Sequence, residues 1–299
     1  AACSQALSRE QFSKKQWQLK QNRRCKECIA VNREVNAAVE APNDEPSRPS
    51  ESADGKVASS WTDKDIFEQP PPRGECPICM LPLPLESQGT SYQACCGKML
   101  CLGCLHADDM ENNRRICPFC RTPEHTSDGE MIERLQNRMD ADDAVAMYNL
   151  GCRYYRGEMG LPQNYKKANK LCLRAGELGY APAFYNLGVA YEKGRGVVRD
   201  AKKAKHYFEL AAMGGDVHAR HYLGTTEYNA GKMDRAIKHY MISAAAGHDD
   251  SLTAIRECFL RGHATKDDFE KALRAHKEAT DEMKSEQREA AAAYYNQNK

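Results

Sequence analysis

A mostly α fold is expected here: an α-solenoid of helix–turn–helix repeats, preceded by a small two-zinc cross-brace module and a disordered linker. Three features point to it. Residues 141–248 repeat themselves in three units at an offset of 36 to 37 residues between the first two. Eight cysteines crowd residues 76–120, six of them in Cys-x2-Cys pairs. Between this cluster and the basic start of the chain, Pro, Ser and acidic residues dominate, which leaves too little apolar surface to build a core.

In chain order, residues 1–35 carry eight Lys/Arg against three Glu. Cys25 and Cys28 form a Cys-x2-Cys pair there, with Cys3 upstream. The chain opens at Ala1 without Met, and so reads as processed or as a fragment. A cysteine directly before Ala1 would complete a four-thiolate set. Residues 1–35 are therefore read as a partial basic zinc finger, with Cys3, Cys25 and Cys28 as its surviving ligands and Phe12, Trp17 and Leu19 as its core. Its Lys and Arg residues read first as a solvated face of a protein-binding finger. Nucleic-acid binding is the sharper alternative, and a strong salt dependence would reveal it.

Residues 36–72 read as a disordered linker, ending in Pro70-Pro71-Pro72. Trp61, Ile66 and Phe67 interrupt it, either as docking residues or as chance apolar residues in a tether.

Residues 73–125 hold the cysteine cluster. Two thiolates at Cys-x2-Cys spacing chelate one tetrahedral zinc, and fourteen cysteines so arranged point to a reducing compartment, cytoplasm or nucleus. Read as a cross-brace, Cys76, Cys79, Cys101 and Cys104 hold the first zinc. Cys95, Cys96, Cys117 and Cys120 hold the second. So short a segment has little core of its own, and each structural zinc would supply on the order of 10 kcal/mol of its folding free energy. Closed four-thiolate shells leave no open position for catalysis by the metal.

From residue 141, Ala144-Val-Ala146-x3-Leu150-Gly151 returns as Ala181-Pro-Ala183-x3-Leu187-Gly188 and again as Val217-His-Ala219-x3-Leu223-Gly224. A second helix follows each, closing on Gly179, Gly215 and Gly247. The inter-helix turn of the third unit is about four residues shorter. Small residues let helix backbones approach, and stacked neighbours bury a stripe that one unit cannot. Residues 249–288 are expected to form a degenerate fourth pair acting as a cap. Its second helix starts at Thr265 with Asp268, and Phe269, Leu273 and His276 share one face. Residues 289–299 are expected to fray.

The repeat signatures resemble the Sel-1-like family, relatives of tetratricopeptide repeats. The cysteine segment resembles RING domains, through Cys76-Pro-Ile-Cys79 and Cys117-Pro-Phe-Cys120-Arg121. That second resemblance implies that Ile78, Pro118 and Phe119 contact a ubiquitin-conjugating enzyme. It implies also that Arg121 bridges that enzyme and its bound ubiquitin, catalysing by orientation without covalent chemistry. Two departures stand out. A RING commonly places His two residues beyond its third ligand; counted from Cys96, that position is Lys98. The adjacent Cys95 and Cys96 then give an all-cysteine site, with His106 as a rival ligand. Asp108 stands where some RING ligases carry a bulky apolar residue, and Leu102, Leu105 or Met110 are the substitutes.

Cys152, Cys172 and Cys258 read as core residues, and His206, His218, His221 and His239 share no metal or catalytic pattern. With a net charge of +1, no Walker loop, no nucleophile elbow and no apolar run of 18 residues, the sequence offers no sign of a nucleotide hydrolase, a serine hydrolase or a membrane span. The leading expectation is a RING-type ubiquitin ligase with a protein or peptide partner on its repeats. The alternatives are a non-enzymatic zinc-dependent scaffold and a nucleic-acid-associated adaptor.

Overall fold

The computed structural model describes residues 61–85, 89–112 and 115–297. The partial finger with Cys3, Cys25 and Cys28, and the linker up to residue 60, lie outside the described residues. In chain order the elements are α1 (Asp63–Ile66), β1 (Thr90–Gln93), β2 (Lys98–Cys101), α2 (Leu102–Asn112) and α3 (Asp128–Asp140). Four helix pairs follow: α4 (Ala144–Arg156) with α5 (Tyr165–Glu177), α6 (Ala181–Lys193) with α7 (Ala201–Met213), α8 (Val217–Asn229) with α9 (Met233–Ala245), and α10 (Asp249–Leu260) with α11 (Lys266–Glu282). A last helix, α12 (Glu286–Gln297), closes the described chain.

The pairs stop and start on local chemistry. Asp143, Asn164, Asp200 and Asp216 each accept hydrogen bonds from free backbone N–H groups of the first turn they precede. Thr265 and Asp268 form a reciprocal capping box at the start of α11, as the sequence suggests. At the other ends, Gly179, Gly215 and Gly247 turn the chain with φ of 96°, 95° and 90°, a region closed to most side chains.

In the second and third pairs the glycine of the first helix meets a ring from the second. A Cβ on Gly188 would stand 2.7 Å from the Phe208 ring, and one on Gly224 would stand 2.7 Å from the Tyr240 ring. Leu150, Leu187, Leu223 and Ile255, one from each first helix, are all essentially buried. Burial of such a side chain contributes roughly 1.5–3 kcal/mol, so the stack is stable where one pair alone would not be.

Four features depart from expectation. The residues expected to fray from 289 belong to α12, whose Ala291 is buried and whose face packs on α2. Its run of alanines permits that close approach. Trp61 to Phe67 fall within the expected linker bounds, and of their two readings it is docking that holds: they form one helical turn seated on the repeats, with Ile66 buried. Helix α3, which no repeat signature announces, packs on α4 through Ile132 and Leu135. Leu273 is exposed, while Phe269 stacks on Phe259 at 5.6 Å and His276 reaches Asp249 at 2.8 Å. Ala272 holds the buried position on α11 instead.

Candidate metal centre

The two Cys-Pro-x-Cys segments fold alike. Met80 N–H donates to the Cys76 carbonyl at 2.8 Å, and Cys76 N–H to the Leu81 carbonyl at 3.0 Å. Arg121 N–H donates to the Cys117 carbonyl and Cys117 N–H to the Thr122 carbonyl, both at 2.8 Å. Met80 and Arg121 both adopt left-handed backbone, with φ of 58° and 59°. Such a conformation is costly for a non-glycine residue and persists only where surrounding structure demands it. In each loop the tight turn aims the two sulfur atoms at one point. Between the loops, β1 and β2 pair antiparallel with Gln93 opposite Lys98, and the turn joining them carries Cys95 and Cys96. Strand β2 then delivers Cys101 into α2, which supplies Cys104.

The eight sulfurs gather into two groups, each with its atoms within 4.8 Å of one another: Cys76, Cys79, Cys101 and Cys104, and Cys95, Cys96, Cys117 and Cys120. A tetrahedron with Zn–S bonds of about 2.3 Å has edges of about 3.8 Å. The separations are 3.9 Å for Cys76–Cys104, 3.8 Å for Cys79–Cys101, 3.9 Å for Cys96–Cys117 and 3.4 Å for Cys95–Cys120. They are far too long for disulfides and close to the edges a zinc ion would impose.

The thiol electrostatics agree with a cation site. Burial pushes the Cys76 thiol up, but backbone N–H groups of Cys101, Cys79 and Ile78 more than offset it and bring it to about 7. Cys120 likewise falls to about 6, because the hydroxyl and backbone of Thr122 outweigh its burial. Burial and neighbouring thiols push Cys96 up to about 11 and raise Cys95 and Cys104 as well. Four thiols this close do not ionise together unaided. A dication at the centre would let all four act as thiolates, and the donor set fits zinc.

Both groups are braced from the start of the repeats and from the helices that flank them. Tyr92 of β1 donates to the Asp143 carboxylate at 2.8 Å, and Arg138 of α3 donates to the Cys95 carbonyl at 3.3 Å. From α12, the Arg288 guanidinium donates to the Pro82 carbonyl at 2.8 Å, the Leu81 carbonyl at 3.3 Å and Cys79 Sγ at 3.5 Å. A Cβ on Gly103 would stand 2.8 Å from the Arg288 backbone N, so only glycine lets α12 come this near α2. No signal in the local sequence pairs Arg288 with a cysteine 209 positions away.

Of the other expected site residues, Ile78 and Phe119 stand exposed at 42% and 44%, Pro118 is half-buried between them in character, and Arg121 is exposed. Lys98 Nζ lies 5.7 Å over the Phe119 ring, outside the thiol group. His106 packs on Tyr294 of α12 with ring centroids 4.8 Å apart, so the fourth donor placed at the second group is a cysteine rather than His106. Asp108 accepts from Asn112 at 2.8 Å; Leu105 packs among the cysteines, and Met110 is exposed. Cys172 and Cys258 are buried core residues.

Residues 144–180 and 181–216 match the Sel1 repeat family model. Over 111 residues, 37% of this chain, the sequence is 31% identical to the ERAD-associated E3 ubiquitin-protein ligase component HRD3B of Arabidopsis thaliana. The aligned part spans 17% of that relative. Among solved structures, a Sel1 repeat protein from Oxalobacter formigenes is 25% identical with a TM-score of 0.44, covering 51% of this chain and 64% of that one. The Escherichia coli antigen c5321, with an SLR fold, is 27% identical with a TM-score of 0.43, covering 51% and 33%. Among the described residues no helix is long and apolar enough to cross a membrane.

Proposed function

We propose that this chain is a zinc-stabilised adaptor that works in a ubiquitin-ligase context. Its Sel1 repeats take a protein partner, and its cysteine module is a RING-type cross-brace holding two structural zinc ions. The observation that carries this reading is the joining of the two parts: in a chain 31% identical over 111 residues to a ligase component, the repeats at Asp143 and the flanking helices at Arg138 and Arg288 brace a double four-thiol centre. Such bracing fixes whatever docks on the module relative to whatever docks on the repeats, which is what an adaptor requires. In the module, zinc supplies the folding free energy, while Ile78, Pro118 and Phe119 offer an apolar docking surface. Extended helical repeats offer the second surface.

A second reading, catalysis as a RING-type ubiquitin ligase, is favoured by the exposure of Ile78, Phe119 and Arg121. In that reading Arg121, with its planar set of donors, spans the conjugating enzyme and ubiquitin. A third zinc on Cys3, Cys25 and Cys28 is part of the same proposal.

One experiment separates the readings. Zinc-loaded full chain is titrated into a panel of ubiquitin-loaded conjugating enzymes, and binding and thioester discharge are followed together. The adaptor reading expects saturable binding without faster discharge, weakened by Ile78→Ala or Phe119→Ala. Faster discharge, lost in Arg121→Ala with both zinc ions retained, establishes the ligase reading instead. A zinc-loaded chain that binds no member of the panel removes the ubiquitin context altogether.

A further inference from the structure

One segment of the chain is seated on the repeats as a ligand would be. Trp61 to Phe67 make a single helical turn, fixed by a reciprocal capping box between Thr62 and Asp65. Trp61 stacks parallel to His206 of α7, with ring centroids 6.5 Å apart. Ile66 is 5% exposed. The Phe67 ring lies 4.7 Å from His239 of α9, flanked by Arg235 at 5.2 Å and Lys238 at 5.4 Å. Asp63 pairs with Arg235. The residues of this contact belong to the second helices α7 and α9, with Arg220 reaching through from α8.

Arg220 is the unusual member. It is only 1% exposed, and its guanidinium donates to two carbonyl oxygens, that of Ala212 at 2.8 Å and that of Ile66. Burial draws its pKa down to about 10. A cation is expensive to bury, and carbonyl groups are weak compensation beside a carboxylate. A fixed donor of this kind suits capture of the free carbonyl at the end of a helical turn. The seated segment is an imperfect fit. Trp61 Nε1 and His239 Nδ1 are both buried without a hydrogen-bond partner, and each such atom weakens the seat.

We propose that the face formed by α7, α8 and α9 is a peptide-recognition groove, held in cis by residues 61–67, which a partner protein's segment displaces. The partner segment is a short acid-capped helical turn: an aromatic residue, an acid two positions on, and an adjacent aliphatic–aromatic pair ending the turn. His206 and His239 receive the two rings, Arg235 the acid, Arg235 and Lys238 the face of the second ring, and Arg220 the terminal carbonyl. Arg235 also contacts Glu227 at 3.3 Å, so it keeps a partner while the groove exchanges occupants. The tethered segment competes at high effective concentration and thereby sets a threshold that a partner must exceed. This deepens the adaptor reading by giving the partner's chemistry. Its test uses no ubiquitin component, so failure here and failure of conjugating-enzyme binding are distinguishable.

The probe is a fluorescein-labelled synthetic peptide of residues 59–70, titrated by anisotropy into the zinc-loaded full chain. It is titrated also into a full chain carrying Trp61→Ala, Ile66→Asp and Phe67→Ala. A groove occupied in cis for about 90–99% of the time weakens apparent binding roughly 10- to 100-fold, so the substituted chain binds at least about tenfold tighter than the parent. Lys238→Glu in the substituted chain, at an exposed position, weakens the peptide again, and a peptide carrying Ile66→Ala and Phe67→Ala does not compete. Where the triple variant melts early, Phe67→Ala alone carries the same comparison. Equal binding to parent and variant, or undiminished competition by the altered peptide, overturns the proposal.

Discussion

Replacing Arg288 by Met tests how the zinc module is held. The substitution keeps the side-chain stem and removes a guanidinium that donates to the Pro82, Leu81 and Met283 carbonyls and to Cys79 Sγ. Two of these bonds are short, 2.8 Å to Pro82 and 2.7 Å to Met283. A bond from a charged donor contributes about 1.5–3 kcal/mol when well buried. Arg288 is only half-buried, so about 1–1.5 kcal/mol for each short bond is the defensible value, or about 2–3 kcal/mol together. That corresponds to a 30- to 150-fold rise in the opening equilibrium of α12. Amide exchange across Glu286–Gln297 should accelerate by that factor, while exchange across α6 to α9 stays as in the parent. Chelator-driven zinc loss should also speed up, and Cys76, Cys79, Cys101 and Cys104 should become reactive to alkylation before Cys95, Cys96, Cys117 and Cys120. Unchanged exchange in α12 together with unchanged order of alkylation would refute the argument that this guanidinium ties the last helix to the first thiol group.

Other consequences are as direct. Gly103→Ala places a methyl 2.8 Å from the Arg288 backbone and should loosen α12 as Arg288→Met does, visible in the same exchange experiment. Gly188→Ala drives a methyl into the Phe208 ring at 2.7 Å and should cost about 1–3 kcal/mol, read as a lower denaturation midpoint with unchanged slope. Burial, with Arg220, Arg235 and Lys205 adding to it, pulls the pKa of His239 down to about 3 from its ordinary 6.5. The unfolded chain therefore takes up this proton first as pH falls. Its contribution is complete above about 6.5 and is lost progressively toward 3, so His239→Leu should flatten the acid limb of stability between those limits in urea titrations.

The repeats announced themselves because their chemistry is local. The Leu-Gly step in the first helix of each of the first three pairs and the glycine closing the second helix recur at nearly fixed spacing, and the cap at Thr265 stands beside the turn it serves. The two thiol groups were likewise readable, since two sulfurs three positions apart have few other uses. What was left open or missed depends on distance along the chain. The docking reading of Trp61, Ile66 and Phe67 could not be settled locally, because Arg220 and His239, which receive the turn, stand more than 150 residues away on helices whose own pattern says nothing of a ligand. Alanine-rich α12 looks unstable in isolation and gains its order from α2. Helix α3 had signals that went unused: Ser127 as a cap, and Ile132 and Leu135 three apart on one face.

The proposed docking surface at Ile78 and Phe119 and the proposed zinc-stabilised module both require that the two thiol groups hold metal. Native mass spectrometry of the full chain, with Cys3, Cys25 and Cys28 replaced by Ser so that only the described thiol groups count, measures this directly. The expected mass carries two zinc ions, falling by one in Cys76→Ser and by one in Cys120→Ser. A metal-free mass from a chain whose module still protects its amides from exchange would contradict it.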